Sequence, residues 1–213
     1  MRRTVVPAVE VAAVIAAVAL GGRLGIIVLL ALASVALALR GRRWQAAEDG
    51  DRGSAWALAG GAVVGALALA GALAVSPAVL GATGAAVEWS TAPVVRGSAV
   101  QLAVAVVPAI ALALAAELVF RRWLLERVAA AVRAAGEPAL LATAAGVIVA
   151  AIVEAAVLPA GDAGGWGRLG TVLGSCGLGI VYGAAGGRVA ASIGARTVFE
   201  VGALVVQALR LVG

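Results

Sequence analysis

The chain has 213 residues, 63% of them hydrophobic and 13% charged. Soluble domains lie near half apolar and a quarter charged, so this balance excludes an ordinary water-soluble fold and points to the membrane class. A single cysteine, Cys176, excludes a disulfide scaffold, and the absence of histidine removes the commonest general base and metal ligand, so no metal or cofactor is expected. The net charge of +5 does not make a nucleic-acid binder, because most of the arginines flank long apolar runs, where they act as topology signals. The lipid bilayer is the expected partner, with another membrane protein as a second and no nucleic acid.

Windows of about 20 apolar residues predict an all-α, polytopic membrane bundle of about seven transmembrane helices in a single domain. The first two spans, 5–22 and 24–39, form a tight antiparallel pair, and residues 40–53 form a charged loop outside the bilayer. Glu10 and the second span argue against reading the first as a cleaved signal peptide. The third span covers 54–76 and stops at Pro77. Residues 78–97, with Glu88, Trp89 and Arg96, are expected as an interfacial loop or short helix. A fourth span begins near Ser98 and passes Pro108 and Glu117 into Arg121, where arginines begin to alternate with apolar residues. That pattern predicts an amphipathic helix lying on the membrane surface up to about Arg133.

Pro138 opens the fifth span, which ends near Pro159, and 160–167 is a Gly-rich outer turn. The sixth span is 168–185, and after Gly186, Gly187 and Arg188 the seventh covers 189–211. With a cytoplasmic N-terminus, eleven arginines fall inside, four outside and one, Arg196, within a span. This bias places the N-terminus in the cytoplasm, the C-terminus outside and the protein in the cytoplasmic (inner) membrane.

Ionisable residues within spans are expensive and therefore the natural site candidates. They are Glu10, Glu117, Arg121, Glu154, Arg196 and Glu200. Glu117 with Arg121, and Arg196 with Glu200, are spaced i,i+4 and share a helix face. Glu154 has no basic neighbour on its own helix, so its partner must come from another, Arg196 or Arg121. The last five are expected to gather as an ion-pair cluster facing a common interior. The bland alternative has Arg121 snorkelling to the surface with Glu117 beside it. Gly61-x-x-x-Gly65, Gly170-x-x-x-Gly174 and Gly183-x-x-x-Gly187 carry little weight in a chain with 29 glycines. Ser175 and Cys176, with no base available, read as packing residues.

The run Ala116-Glu117-Leu118-Val119-Phe120-Arg121, at the end of a span, resembles the first motif of the CPBP family, the CAAX-protease and bacteriocin-processing intramembrane proteases. That motif reads Glu-Glu-x-x-x-Arg, often with Phe before the Arg, and the resemblance covers about 98–213, leaving 1–97 as N-terminal helices and loops. Glu117, Phe120 and Arg121 match it, but Ala116 stands where the family's first Glu activates water. The family's second motif, Phe-x-x-x-His, falls near Val149 to Glu154, where Glu154 stands and no His. Its third, His-x-x-x-Asn or Asp, is met by Arg196-x-x-x-Glu200 after the Gly186-Gly187 turn.

The resemblance thus implies the bundle of an intramembrane protease without its chemistry. No catalytic residue is expected, and Glu117, Arg121, Glu154, Arg196 and Glu200 are a vestigial site. The reading is a catalytically silent membrane protein that binds or scaffolds. Its alternatives are a residual carboxylate-dependent intramembrane peptidase and a small-solute or proton transporter.

Overall fold

The computed structural model describes residues 51–83, 99–158 and 164–209, and every regular element in them is helical. The elements are α1 (Asp51–Thr83), α2 (Ala99–Ala116), a π-helical segment (Glu117–Leu125), α3 (Glu126–Ala134), α4 (Ala139–Val157), α5 (Gly164–Ala184) and α6 (Val189–Ala208). Because α2, the π-segment and α3 run on without a break, they make five helical rods. Among the described residues, four stretches are long and apolar enough to cross a membrane: Gly53–Ser76, Ala99–Ala134, Ala139–Val157 and Val189–Ala208. The chain is thus a candidate multi-pass membrane protein. Where the sixth span is expected there is a helix, α5, which is not among those four, and the first two spans, with Glu10, lie outside the described residues.

The inside and outside of the bundle are reversed relative to a soluble protein. More than half of the buried apolar side chains are alanines, among them Ala113, Ala142, Ala150, Ala151 and Ala203. Leu67 on α1, Val104 and Val107 on α2, Ile152 on α4 and Ile180 on α5 face outward, each more than half exposed. Lipid tails are as apolar as leucine, so helix association relies on small residues that let backbones approach rather than on burying large ones.

The contact between α1 and α6 illustrates this and corrects one expectation. A methyl group on Gly61 or Gly65 would run into the backbone of Ala191 or Ala195, and one on Gly194 into the backbone of Leu58. Gly61-x-x-x-Gly65 is therefore a true close-packing face. Gly170 and Gly174 have nothing within 4 Å of an added methyl among the described residues.

Three boundaries also differ from expectation. The helix expected to stop at Pro77 continues to Thr83. Proline has no N–H for the carbonyl of Leu73, four residues back, but the Ser76 hydroxyl donates to that oxygen at 3.1 Å and replaces the missing donor. Asp51 to Gly53, expected in the charged loop, are already helical, and Gly164 to Gly167, expected in the outer turn, open α5. The amphipathic stretch is not a separate surface helix: its first half is the π-segment, continuous with α2, and its second half is α3.

Turns follow the glycines. Gly136 and Gly186 adopt φ of 94° and 69°, left-handed values that a side chain rarely tolerates. At the second turn the Gly187 N–H donates to the Tyr182 carbonyl and that of Gly186 to Gly183, both at 3.0 Å, closing α5 with a Schellman motif. The Arg188 guanidinium lies against Gly53, and the Tyr182 hydroxyl donates to Glu126 Oε1 at 2.8 Å. These contacts gather the start of α1, the start of α3, the end of α5 and the start of α6 at one end of the bundle.

Candidate functional site

The site begins with the π-segment. Its i to i+5 bonding puts more residues into a turn than the 3.6 of an α-helix, so residues four apart nearly stack. Two adjacent rows result, Glu117-Arg121-Leu125 and Phe120-Leu124, and all five side chains are buried. Val119, Phe120, Leu124 and Leu125 form the main apolar cluster with Ala116, Ala150, Tyr182 and Val189. This widened turn carries both the bulkiest packing of the bundle and two of its charges.

Glu117 and Arg121 are each fully buried, at 0% exposure, so Arg121 does not snorkel to the surface. Its Nη2 donates to Glu154 Oε2 at 2.8 Å and to Ser175 Oγ at 2.8 Å. The Ser175 hydroxyl in turn donates to Glu154 Oε2 at 2.6 Å, closing a triangle. Arg196 Nη1 donates to Glu117 Oε1 at 3.2 Å and also to Glu154 Oε1. Arg121 Nε faces Glu117 Oε2 at 3.7 Å, an ion pair too long for a hydrogen bond. Glu154 is thus gripped by two guanidiniums and a hydroxyl, whereas Glu117 accepts one hydrogen bond through Oε1, and its Oε2, like Arg121 Nε and Nη1, is buried without a hydrogen-bond partner among the described residues.

Four charges from three helical rods therefore meet, two acids against two bases, with α5 adding Ser175. Glu200, one turn beyond Arg196 on the same face of α6, is half-buried. The depth can be worked from helical rise. Ser175 stands about 13 Å from the end of α5, and Arg196 about 10 Å from the start of α6. In a hydrocarbon core about 30 Å thick, that is near the middle. A lone charge there costs about 2.5–3.5 kcal/mol, so mutual neutralisation is what makes four tolerable.

Glu117, Arg121, Glu154 and Arg196 are thus brought together, and Ser175, read from the sequence as packing, joins them. A signal for it existed. Ser175 and Arg196 lie eleven residues before Gly186 and nine after Gly187, so the α5–α6 hairpin sets them at similar depth. Ala116, where the resemblance would require a catalytic Glu, is buried in the apolar cluster at 3% exposure.

Chemically the arrangement holds charge in place. A general base must be free to take a proton, and both carboxylates of the core group are engaged by guanidiniums. Comparison of the chain with protein-family models, curated proteins and solved structures gives no match.

Proposed function

We propose that this chain is a catalytically silent relative of the CPBP intramembrane proteases, a multi-pass protein of the cytoplasmic membrane that binds or scaffolds another membrane protein. The observation that carries the reading is the convergence of Glu117, Arg121, Glu154 and Arg196 in one buried, hydrogen-bonded group. Those residues stand where the resemblance puts the three motifs, at the end of one span, late in the next and after the Gly-rich turn. Mutual neutralisation would draw intramembrane charges together in any bundle, so the support for kinship is where these residues stand along the chain, not that they pair. The arginine distribution supports a cytoplasmic N-terminus and an external C-terminus.

Silence follows from the side chains available. Water activation needs a free carboxylate or an imidazole, and this sequence contains no histidine. Ala116 occupies the place of the activating Glu, and Glu117 and Glu154 each lie against two arginine guanidiniums. What remains is a rigid, internally neutral locus that fixes the mutual arrangement of the rods around it.

The test is twofold. Purified protein in proteoliposomes is incubated for days with membrane-spanning peptides, and no cleavage is expected. Cleavage abolished by Glu200→Gln would replace this reading with a residual peptidase. In parallel, a membrane partner that co-purifies with the wild type is expected to persist with a conservative Ser175→Ala variant. Proton or solute flux in the same vesicles, lost on Arg196→Ala, would instead make the protein a transporter.

A further inference from the structure

We propose that the end of the bundle formed by α3, the first turn of α4 and the α5–α6 turn is a binding surface for anionic phospholipid headgroups. Three observations meet there. The first is charge: Arg127, Arg133 and Arg188 stand against Glu126 and Glu137, an excess of one positive charge among these five side chains. Arg133 and Arg188 are exposed, and Arg133 lies within 3.9 Å of Glu126 in an open, solvent-facing pair that leaves its guanidinium accessible.

The second is depth. Leu140 is fourteen residues before Glu154, about 21 Å along α4, whereas Arg196 is only about 10 Å from the start of α6. Since Glu154 and Arg196 are bonded to each other, the α3–α4 tip reaches about 10 Å past the α5–α6 turn. The headgroup layer adds about 5–8 Å to each side of the hydrocarbon core. With the ion-pair group near the bilayer centre, Arg188 sits at the boundary of the core. Arg133 and the tip then span the layer in which lipid phosphates lie.

The third is apolar exposure at the same tip. Leu140 is 84% exposed and Leu141 52%, beside the charged end of α3. Arginines with neighbouring leucines, facing outward at headgroup depth, fit an interfacial layer in which phosphates and the upper, ester ends of the acyl chains are both within reach. A soluble phosphate would meet the arginines but leave the leucines in water. An anionic phospholipid satisfies both.

This inference needs the bundle to sit in a bilayer but does not depend on kinship to proteases, so either can fail alone. The full chain in neutral detergent is titrated with short-chain phosphatidylglycerol, short-chain phosphatidylcholine or glycerol phosphate, and bound molecules are counted by native mass spectrometry. Phosphatidylglycerol is expected to bind in preference to phosphatidylcholine. Arg133→Gln with Arg188→Gln is expected to weaken it about thirtyfold, roughly fivefold per arginine. Arg133→Lys with Arg188→Lys keeps the charges and is expected to keep the preference. Equal binding of the two lipids, or an unchanged affinity in the double Gln variant, overturns the proposal. Glycerol phosphate binding as tightly as phosphatidylglycerol overturns it too, since that is a free-phosphate site.

Discussion

Glu154→Gln is the most informative single change to the buried charge group. The carboxylate accepts from Arg121 Nη2 at 2.8 Å, from the Ser175 hydroxyl at 2.6 Å and from Arg196. Glutamine keeps the shape and one acceptor oxygen but removes the negative charge, so the four-membered group passes from neutral to one excess positive charge. Arg196 keeps Glu117 at 3.2 Å and Glu200 one turn away, but Arg121 loses its short ion pair and is left with Glu117 at 3.7 Å. Losing one partner of a buried pair costs about 3–5 kcal/mol, because the other charge is left without compensation. Two weakened charge-assisted bonds at about 1.5–3 kcal/mol each give about 3–6 kcal/mol, an overlapping range.

The assay is reversible unfolding in mixed micelles of increasing denaturing-detergent fraction, followed by circular dichroism. A second variant, Glu154→Leu with Arg121→Met, removes one charge of each sign and leaves Glu117 with Arg196. It is expected to be less destabilised than Glu154→Gln alone, despite the larger chemical change, because apolar replacement of a whole buried pair is often neutral or favourable. A loss below about 1 kcal/mol for Glu154→Gln, or strictly additive effects in the pair, would refute the argument. It would mean that the charges are solvated and act independently.

Two further outcomes test the packing. Gly61→Val is expected to separate α1 from α6, since even its first methyl collides with the Ala191 backbone; Gly170→Ala, with open space around it, should be neutral or gain up to about 1 kcal/mol in the same unfolding assay. Ser76→Ala is expected to cost about 0.5–1.5 kcal/mol through the Leu73 carbonyl it leaves unbonded. The penalty should vanish when Pro77→Ala restores the N–H, and an unchanged cost in that background would show that the hydroxyl does something other than substitute for the missing donor.

Much of the candidate site was legible because intramembrane charges are rare. Glu154, with no cation on its own helix, demanded a partner elsewhere, and that demand already named Arg121 and Arg196. Ser175 escaped notice because a hydroxyl is cheap in a helix and can bond its own backbone, so nothing in its local sequence marks it as engaged across helices. Gly61-x-x-x-Gly65 was hidden by abundance: spacing tells which glycines share a face, not which face meets a neighbour. Pro77 misled because a missing donor looks like a helix end until the Ser76 hydroxyl is seen to supply it.

Composition and run length alone decided the membrane class, the all-helical architecture, the α4 span and the Gly186-Gly187 turn, since these depend on local transfer free energy and backbone freedom. The tertiary structure alone decided that α2 passes unbroken through a π-segment into α3. It also decided that Arg121 points inward rather than to the surface, and that Ser175 closes the hydrogen-bond triangle. Those outcomes depend on which helix faces turn toward one another. That is settled by packing between distant segments, for which one chain's local preferences carry no term.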